Sequence, residues 1–324
     1  MKKSASPAKL TERTGVRRVV IDDEQAGQRV DNFLRRQLPG MPTGRLYRIL
    51  RRGEVRVNGG RIRADYKLQS GDQVRIPPVR IDAQADAPPA HRVEDIQNTI
   101  IYEDKLLIVI NKPSGLAVHG GSGISHGAIE LLRAARPDLR DLSLAHRLDR
   151  ETSGCLVFAK RRSALRDLHE KFRDSSVEKN YLALVIGDWQ FGERLVDLPL
   201  KVEHRANGER HVIVSDAGKP AQTLFRLSRT YGRYSLLQCQ PLTGRTHQIR
   251  VHAAHLGHPL AGDERYGDKA SNDELKRRGL CRLFLHAQSI SFADASGNER
   301  HFTAPLADDL QEFLEVLADR KHRG

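Results

Sequence analysis

The spacing of apolar residues changes several times along this chain, and each change marks an element. Val30, Phe33, Leu34 and Leu38 recur at helical spacing until Pro39-Gly40, and Leu46, Ile49 and Leu50 repeat that spacing up to Gly53. Residues 54–63 then alternate in character around Asn58-Gly59, which predicts strand, tight turn and strand; residues 73–76 predict another strand. Further on, residues 100–102 and 106–110 flank Glu103-Asp104-Lys105 as a hairpin, and residues 128–135 form a helix. The apolar run 155–159 predicts a buried strand; Leu165, Leu168 and Phe172 mark an amphipathic helix; residues 179–186 are again a strand. Residues 225–227 and 234–240 pair about Tyr231-Gly232, and a helix opened by residues 241–252 ends near Gly257. A last strand covers 283–292, and Pro305 begins a helix that buries Leu310, Phe313, Leu314 and Leu317. Two stretches lack a period: residues 1–20, a basic tail expected to be disordered, and residues 83–95, a linker rich in Asp and Pro. They separate a small unit, 21–82, from a larger one, 96–324, in an α+β chain.

Composition sharpens this division. A chain of 324 residues suits about two domains, and 39% hydrophobic residues can fill their cores. No apolar run approaches the roughly 18 residues of a membrane span, and the cationic start lacks the apolar core of a signal peptide. Cys155, Cys239 and Cys281 lie far apart without a CxxC pair, which points to reduced thiols and a cytoplasmic protein. The net charge of +13 favours a polyanionic partner, nucleic acid first. Residues 27–80 hold thirteen Lys or Arg against four Asp or Glu, so most of the excess sits in the small unit. Arg45, Arg48 and Arg52 fall on one helical face opposite Leu46 and Leu50, with Arg56 just beyond. Scattered surface charge would not line up this way, whereas a one-sided stripe beside a hairpin suits backbone phosphates. The helix–helix–hairpin with Val-Asn-Gly in its turn resembles the S4 RNA-binding fold.

Candidate chemistry centres on residues 144–160, where Asp149 stands between Arg147 and Arg150 just before the buried strand. Neighbouring cations favour a charged carboxylate, which suits a nucleophile or base better than a general acid. A surface Asp–Arg pair at a turn is the plainer alternative. Gly123-Ile-Ser125-His-Gly127 matches the GxSxG elbow of serine hydrolases, but the preceding His-Gly-Gly-Ser-Gly is loop, not the buried strand an elbow follows. A glycine loop that opens over substrate fits better. Tyr181 suits either ordinary core or a ring that stacks on a base. Arg245, His247 and Arg250 bring polar heads to the first turns of a helix, where exposed N–H groups favour anions. His252, His255 and His258 recur every third residue, yet neither HExxH nor a cysteine pair accompanies them, so packing or RNA-facing roles are favoured over zinc.

In combination these pieces are specific. HRLDRETSG around Asp149, KNYLALV around Tyr181, PLTGRTHQIRVH around Arg250 and LFLHAQ occur in this order. Together they resemble the RluA-type pseudouridine synthases of ribosomal and transfer RNA. With the S4-like unit, KPSG and RSALRDLHE, the chain is most similar to members that act on large-subunit (23S) ribosomal RNA. The resemblance implies a catalytic domain built on a mixed, mainly antiparallel sheet flanked by helices, working as a monomer without metal, organic cofactor or membrane. It also implies isomerisation of a uridine's N-glycosidic bond to a C-glycosidic one. Asp149 matches the nucleophilic aspartate, Tyr181 the tyrosine that packs on the flipped base and assists deprotonation at C5, and Arg250 the arginine that pairs with the aspartate. Arg147 matches the residue that fills the space the base leaves. A noncatalytic RNA-binding factor would share the charge but leave the Asp149 stretch unexplained.

Overall fold

The computed structural model describes residues 11–13, 15–38, 41, 43–82, 88–120, 125–204 and 210–319. They form two compact units, 1–87 and 88–324.

In the first unit the helices Val30–Gln37 and Thr43–Arg51 pack on a four-stranded antiparallel sheet. Its strands run in the order Arg17–Val20, Gln73–Ile76, Arg56–Val57, Gly60–Arg61. Val30, Phe33, Leu34, Leu46, Ile49 and Leu50 are buried, so the apolar spacing does set the inward faces. The hairpin turn needs two left-handed residues, and Asn58 (φ 50°) and Gly59 (φ 79°) supply them. Asn58 Nδ2 donates to buried Asp72 at 2.7 Å, which fastens that turn to the core. The expected disordered tail is corrected here, because Arg17–Val20 pairs in register with Gln73–Ile76. An edge strand draws its stability from ladder bonds to a distant partner, so its own composition need not announce it. The expected stop at Pro39-Gly40 lies outside the described residues.

The second unit is built on a ten-stranded sheet. Its main path runs Glu193–Asp197, Gln222–Tyr231, Tyr234–Pro241, Glu178–Ile186, Leu285–Ala293, Ser153–Ala159, Leu107–Lys112, Ile100–Glu103. Among the described strands every pairing in this sheet is antiparallel except the short one between Ser153-Gly154 and His286-Ala287, so the sheet is mixed and mainly antiparallel as expected. That crossing depends on a glycine. At Gly154 φ is 111°, and a Cβ there would come 2.2 Å from the Ala287 carbonyl oxygen. The Thr-Ser-Gly that follows Asp149 thus joins the two halves of the sheet, and Asp149 enters at the seam.

Two expectations need correction in this unit. The linker at 83–95 overlaps a helix, Ala90–Asn98, in which Ile96 is buried while Val93 is half-buried. Two apolar residues on a nine-residue helix are too few to show a period. The final helix spans Asp308–Asp319 and not the stretch from Pro305, although Leu310, Phe313 and Leu317 are buried as expected. The structure adds a hairpin, Leu200–His204 with Arg210–Val214, and a helix, Lys269–Arg277, that the apolar pattern did not announce.

Candidate active site

Asp149 sits on the short loop between Leu144 and Ser153, with its side chain 25% exposed. Behind this loop Lys112 is fully buried, and its ammonium donates to the carbonyls of Pro113 (2.9 Å), Leu116 (2.8 Å) and Arg150 (3.0 Å). One lysine therefore ties the Lys-Pro-Ser-Gly turn to the residue after Asp149. Burial pushes its pKa down to about 7, against the opposing pull of Glu151 and Asp149.

The residues on either side of Asp149 have separate tasks. Arg147 is exposed and lines the recess in front of the carboxylate. Arg150 turns away, its Nε donating to the Gly115 carbonyl at 3.0 Å. His146 accepts from the Val157 amide through Nε2 at 3.1 Å and lies 5.0 Å from the Phe172 ring. Burial, with Lys179 nearby, pushes His146 down to about 3. The native state therefore takes up no proton there as pH falls from about 6.5, while the unfolded chain does. Stability from this site is complete above about pH 6.5 and is lost progressively towards pH 3. His146→Gln keeps an acceptor for Val157 without the ionisable ring. Its unfolding free energy in urea is expected to fall less steeply than wild type between about pH 7 and about pH 4.5. Parallel pH dependences would refute the assignment.

Arg250 arrives from the helix Gln248–His255, which starts after, and not within, the Gly-Arg-Thr-His stretch. Gln248 holds that entry: its amide donates to Gln222 O (2.8 Å) and Thr223 Oγ1 (2.9 Å) and accepts from Arg245 N (3.0 Å). The three polar heads expected at this helix start have different partners. Arg245 donates to Pro220 O at 2.9 Å, and Arg250 is buried. Arg250 has two carboxylates to serve. Nε and Nη2 each make a 2.7 Å hydrogen bond to Asp263, while Nη1 stands 4.0 Å from Asp149 Oδ2. The expected Asp149–Arg250 pairing is thus the looser of two contacts. Asp263, fully buried, is the residue that sequence reasoning missed. Its polar turn, Gly262-Asp-Glu-Arg-Tyr-Gly267, was the only signal available. His247 completes the surroundings, with Nε2 3.9 Å from Asp149 Oδ2.

Tyr181 lies on the strand Glu178–Ile186, at a bulge against the Leu285–Ala293 strand. Burial, then the charge of Asp149, raises its pKa, so the phenol keeps its proton at neutral pH. Tyr181, Ile249 and Leu285 line a recess of about 620 Å³ in which Asp149 is the only Asp or Glu among the described residues. A second recess of about 910 Å³ meets the first at Arg147, Asp149, His247 and Arg250. Asp149 therefore stands where the two join.

The other motifs disperse. Ser125 is exposed, residues 113–120 before it form turns and bends, and residues 121–124, with most of the expected glycine loop, lie outside the described residues. His252 contacts Thr223 Oγ1 and Leu198 O at 3.0 Å each, while His258 reaches Ile186 O at 3.1 Å. Among the described residues no group of three or more His, Cys, Asp or Glu is arranged to hold a metal ion. No described helix is long and apolar enough to cross a membrane. In the first unit Arg45, Arg48 and Arg52 are exposed on one side of the second helix and its end, joined by Arg51. Arg56 is half-buried and donates to the Gly59 carbonyl at 3.0 Å, so part of its task is to close the hairpin turn.

A carboxylate that faces Arg250 and His247 in a recess lined by Tyr181 and Phe172, in a chain that also carries a basic domain, fits an enzyme that works on RNA bases. The model of the RNA pseudouridylate synthase family matches residues 106–255, and that of the S4 domain matches residues 28–74. The chain belongs to the RNA pseudouridylate synthase family. Among its relatives, ribosomal large subunit pseudouridine synthase C of Salmonella typhi is 51% identical over 316 residues, covering 96% of this chain and 99% of that one. The protein of the same name from Escherichia coli strain K12 is 50% identical over 317 residues, with the same coverage. Among solved structures, human RNA pseudouridylate synthase domain containing 4 superposes with a TM-score of 0.59 at 27% identity, over 70% of this chain and 95% of that one.

Proposed function

We propose that this protein isomerises uridines of large-subunit (23S) ribosomal RNA to pseudouridine, as a monomer in the cytoplasm, with Asp149 as the nucleophile. The observation that carries this reading is that Asp149, facing His247 and Arg250, is the only Asp or Glu among the described residues that lines the Tyr181 recess. The reaction breaks the bond from N1 to C1′, turns the uracil, joins C5 to C1′, releases the C5 proton to solvent and puts one proton on N1. Substrate and product are isomers, so no redox partner or group donor enters the balance. A base inside folded RNA must first leave its stack, at roughly a few kcal/mol. In this reading Arg147, exposed and lining the recess, fills the vacancy, and the ring of Tyr181 packs on the displaced base. Because its phenol is held protonated, Tyr181 enters the reaction as a donor and stacking platform; any role as the C5 base requires first giving up that proton. The cytoplasmic reading is supported by the three unpaired cysteines, two of them buried.

Pseudouridine mapping tests this reading, using carbodiimide treatment and reverse transcription of ribosomal RNA from cells lacking the protein. Loss of defined large-subunit sites is expected, and an unchanged pattern would overturn it. The arginines of the S4 domain have a separate signature. Each phosphate contact adds about 0.7 to 0.9 to the slope of log affinity against log salt, so replacing Arg45, Arg48 and Arg52 with Ala should flatten it by about two to three. The single-turnover rate at saturating RNA should stay near wild type. An unchanged slope would mean the stripe does not meet RNA, and a collapsed rate in folded protein would give the domain a part in assembling the site.

A further inference from the structure

The turn Gly262–Gly267 touches both groups that face Asp149. Asp263 takes Arg250 by its fork, as described, and its Oδ1 also accepts the backbone N–H groups of Arg265 (2.9 Å) and Tyr266 (3.0 Å). This carboxylate is therefore fixed by its own turn as well as by the guanidinium. The turn itself has little freedom. Gly262 has φ 75°, and a Cβ there would come 2.1 Å from the Arg282 carbonyl oxygen. Asn272 clamps the turn by accepting from Gly262 N (3.1 Å) and donating to Asp263 O (2.9 Å).

Tyr266 reaches the second group. Its hydroxyl lies 2.8 Å from His247 Nδ1 and accepts from the Val212 amide at 3.2 Å. An amide N–H can only donate, so the contact with Val212 leaves the phenol's own proton free to be given to His247 Nδ1. A neutral imidazole that accepts at Nδ1 carries its proton on Nε2, the nitrogen that faces Asp149 at 3.9 Å. With that tautomer the donors run from Val212 N–H through the Tyr266 hydroxyl to His247, whose Nε2 faces Asp149. The Tyr266 ring also lies under the Arg250 guanidinium, 5.0 Å from centroid to Cζ. His247 has a left-handed backbone, φ 53° and ψ 21°, an arrangement costly for a residue with a side chain and one that sites of function retain.

We propose that Asp263 and Tyr266 are positioning residues for the catalytic aspartate: Asp263 aims Arg250 and Tyr266 sets the tautomer of His247, so that two N–H donors converge on Asp149. This rests on the reading of Asp149 as the nucleophile. Burial pushes His247 down to about 4, with Arg250 and Arg265 acting in the same direction and Asp149 and Asp263 opposing. The imidazole is therefore neutral at working pH, as the donor chain requires. Both groups face the same oxygen, Oδ2, at 3.9 and 4.0 Å, which leaves the other oxygen available to the substrate.

Tyr266→Phe removes the hydroxyl, keeps the ring under Arg250 and frees both hydroxyl partners, His247 Nδ1 and the Val212 amide. Single-turnover pseudouridine formation at saturating RNA is expected to fall about tenfold, with RNA affinity near wild type; the rate, not the thermal midpoint, reads the His247 contact. His247→Ala should lose as much, and the double variant no more than His247→Ala alone, because Tyr266 acts through His247. Nitrogen-15 spectra of the histidines, with the His247 signals assigned by comparison with His247→Gln, should show the proton on Nε2 in wild type. A full rate in Tyr266→Phe, losses that multiply in the double variant, or a proton on Nδ1 would overturn the proposal. A wild-type protein that forms no pseudouridine at all would instead sink the underlying reading.

Discussion

Asp149→Asn is expected to abolish pseudouridine formation while RNA affinity stays close to wild type. The carboxamide has the shape of the carboxylate and still meets His247 and Arg250, but it lacks the charge that makes the oxygen a nucleophile. No other Asp or Glu among the described residues lines the Tyr181 recess. A loss on the order of a thousandfold or more is expected in the single-turnover rate. Affinity is spread over many cationic contacts, which this change does not touch. The fold should also tolerate it, because Arg250 keeps its tighter partner, Asp263. The assay is release of tritium from RNA labelled at C5 of uridine, the position that loses its hydrogen. Appreciable release by Asp149→Asn would remove Asp149 from the role of essential group.

The second large effect is at Arg250, where activity and stability should separate according to the substitution. Arg250→Ala leaves Asp263 fully buried without its guanidinium, and removing one partner of a buried pair costs about 3–5 kcal/mol. That variant should therefore be both inactive and markedly easier to unfold in urea. Arg250→Lys keeps a positive charge for Asp263, so most of the stability should return. A single ammonium cannot donate twice to Asp263 and still face Asp149, as the planar fork does through Nε, Nη2 and Nη1. Arg250→Lys is expected to unfold near the wild-type midpoint and yet lose most of its rate at saturating RNA. Full activity in Arg250→Lys would show that only charge is needed there. An unchanged midpoint in Arg250→Ala would show that Asp263 does not depend on its partner.

These expectations rest on features of differing visibility. Asp149, Tyr181 and Arg250 could be named because each lies in a distinctive run of residues. Asp263 could not, since an aspartate between Gly262 and Glu264 looks like any solvated turn until the fold buries it against Arg250. His247 was visible as a polar residue ahead of a helix, but its tautomer depends on Tyr266 and on Val212, which reach it from other elements. The arginine stripe was legible because a helix face follows from local spacing alone, whereas the part Arg56 plays in its turn needed the hairpin to close.

The same division runs through the fold. By itself the sequence determined the inward faces of the helices at 30–37 and 43–51, the left-handed turn at Asn58-Gly59 and the buried run through 155–159. Each is settled by interactions between residues a few positions apart. Tertiary structure alone decided that Arg17–Val20 is a strand, that Ala90–Asn98 is a helix, and that Gly154 crosses Ala287 at the seam where Asp149 enters. It also decided that Arg250 divides its nitrogens between Asp263 and Asp149. In each of these the stabilising partner lies far along the chain, and no local pattern of apolar and polar residues records a partner that only folding brings near.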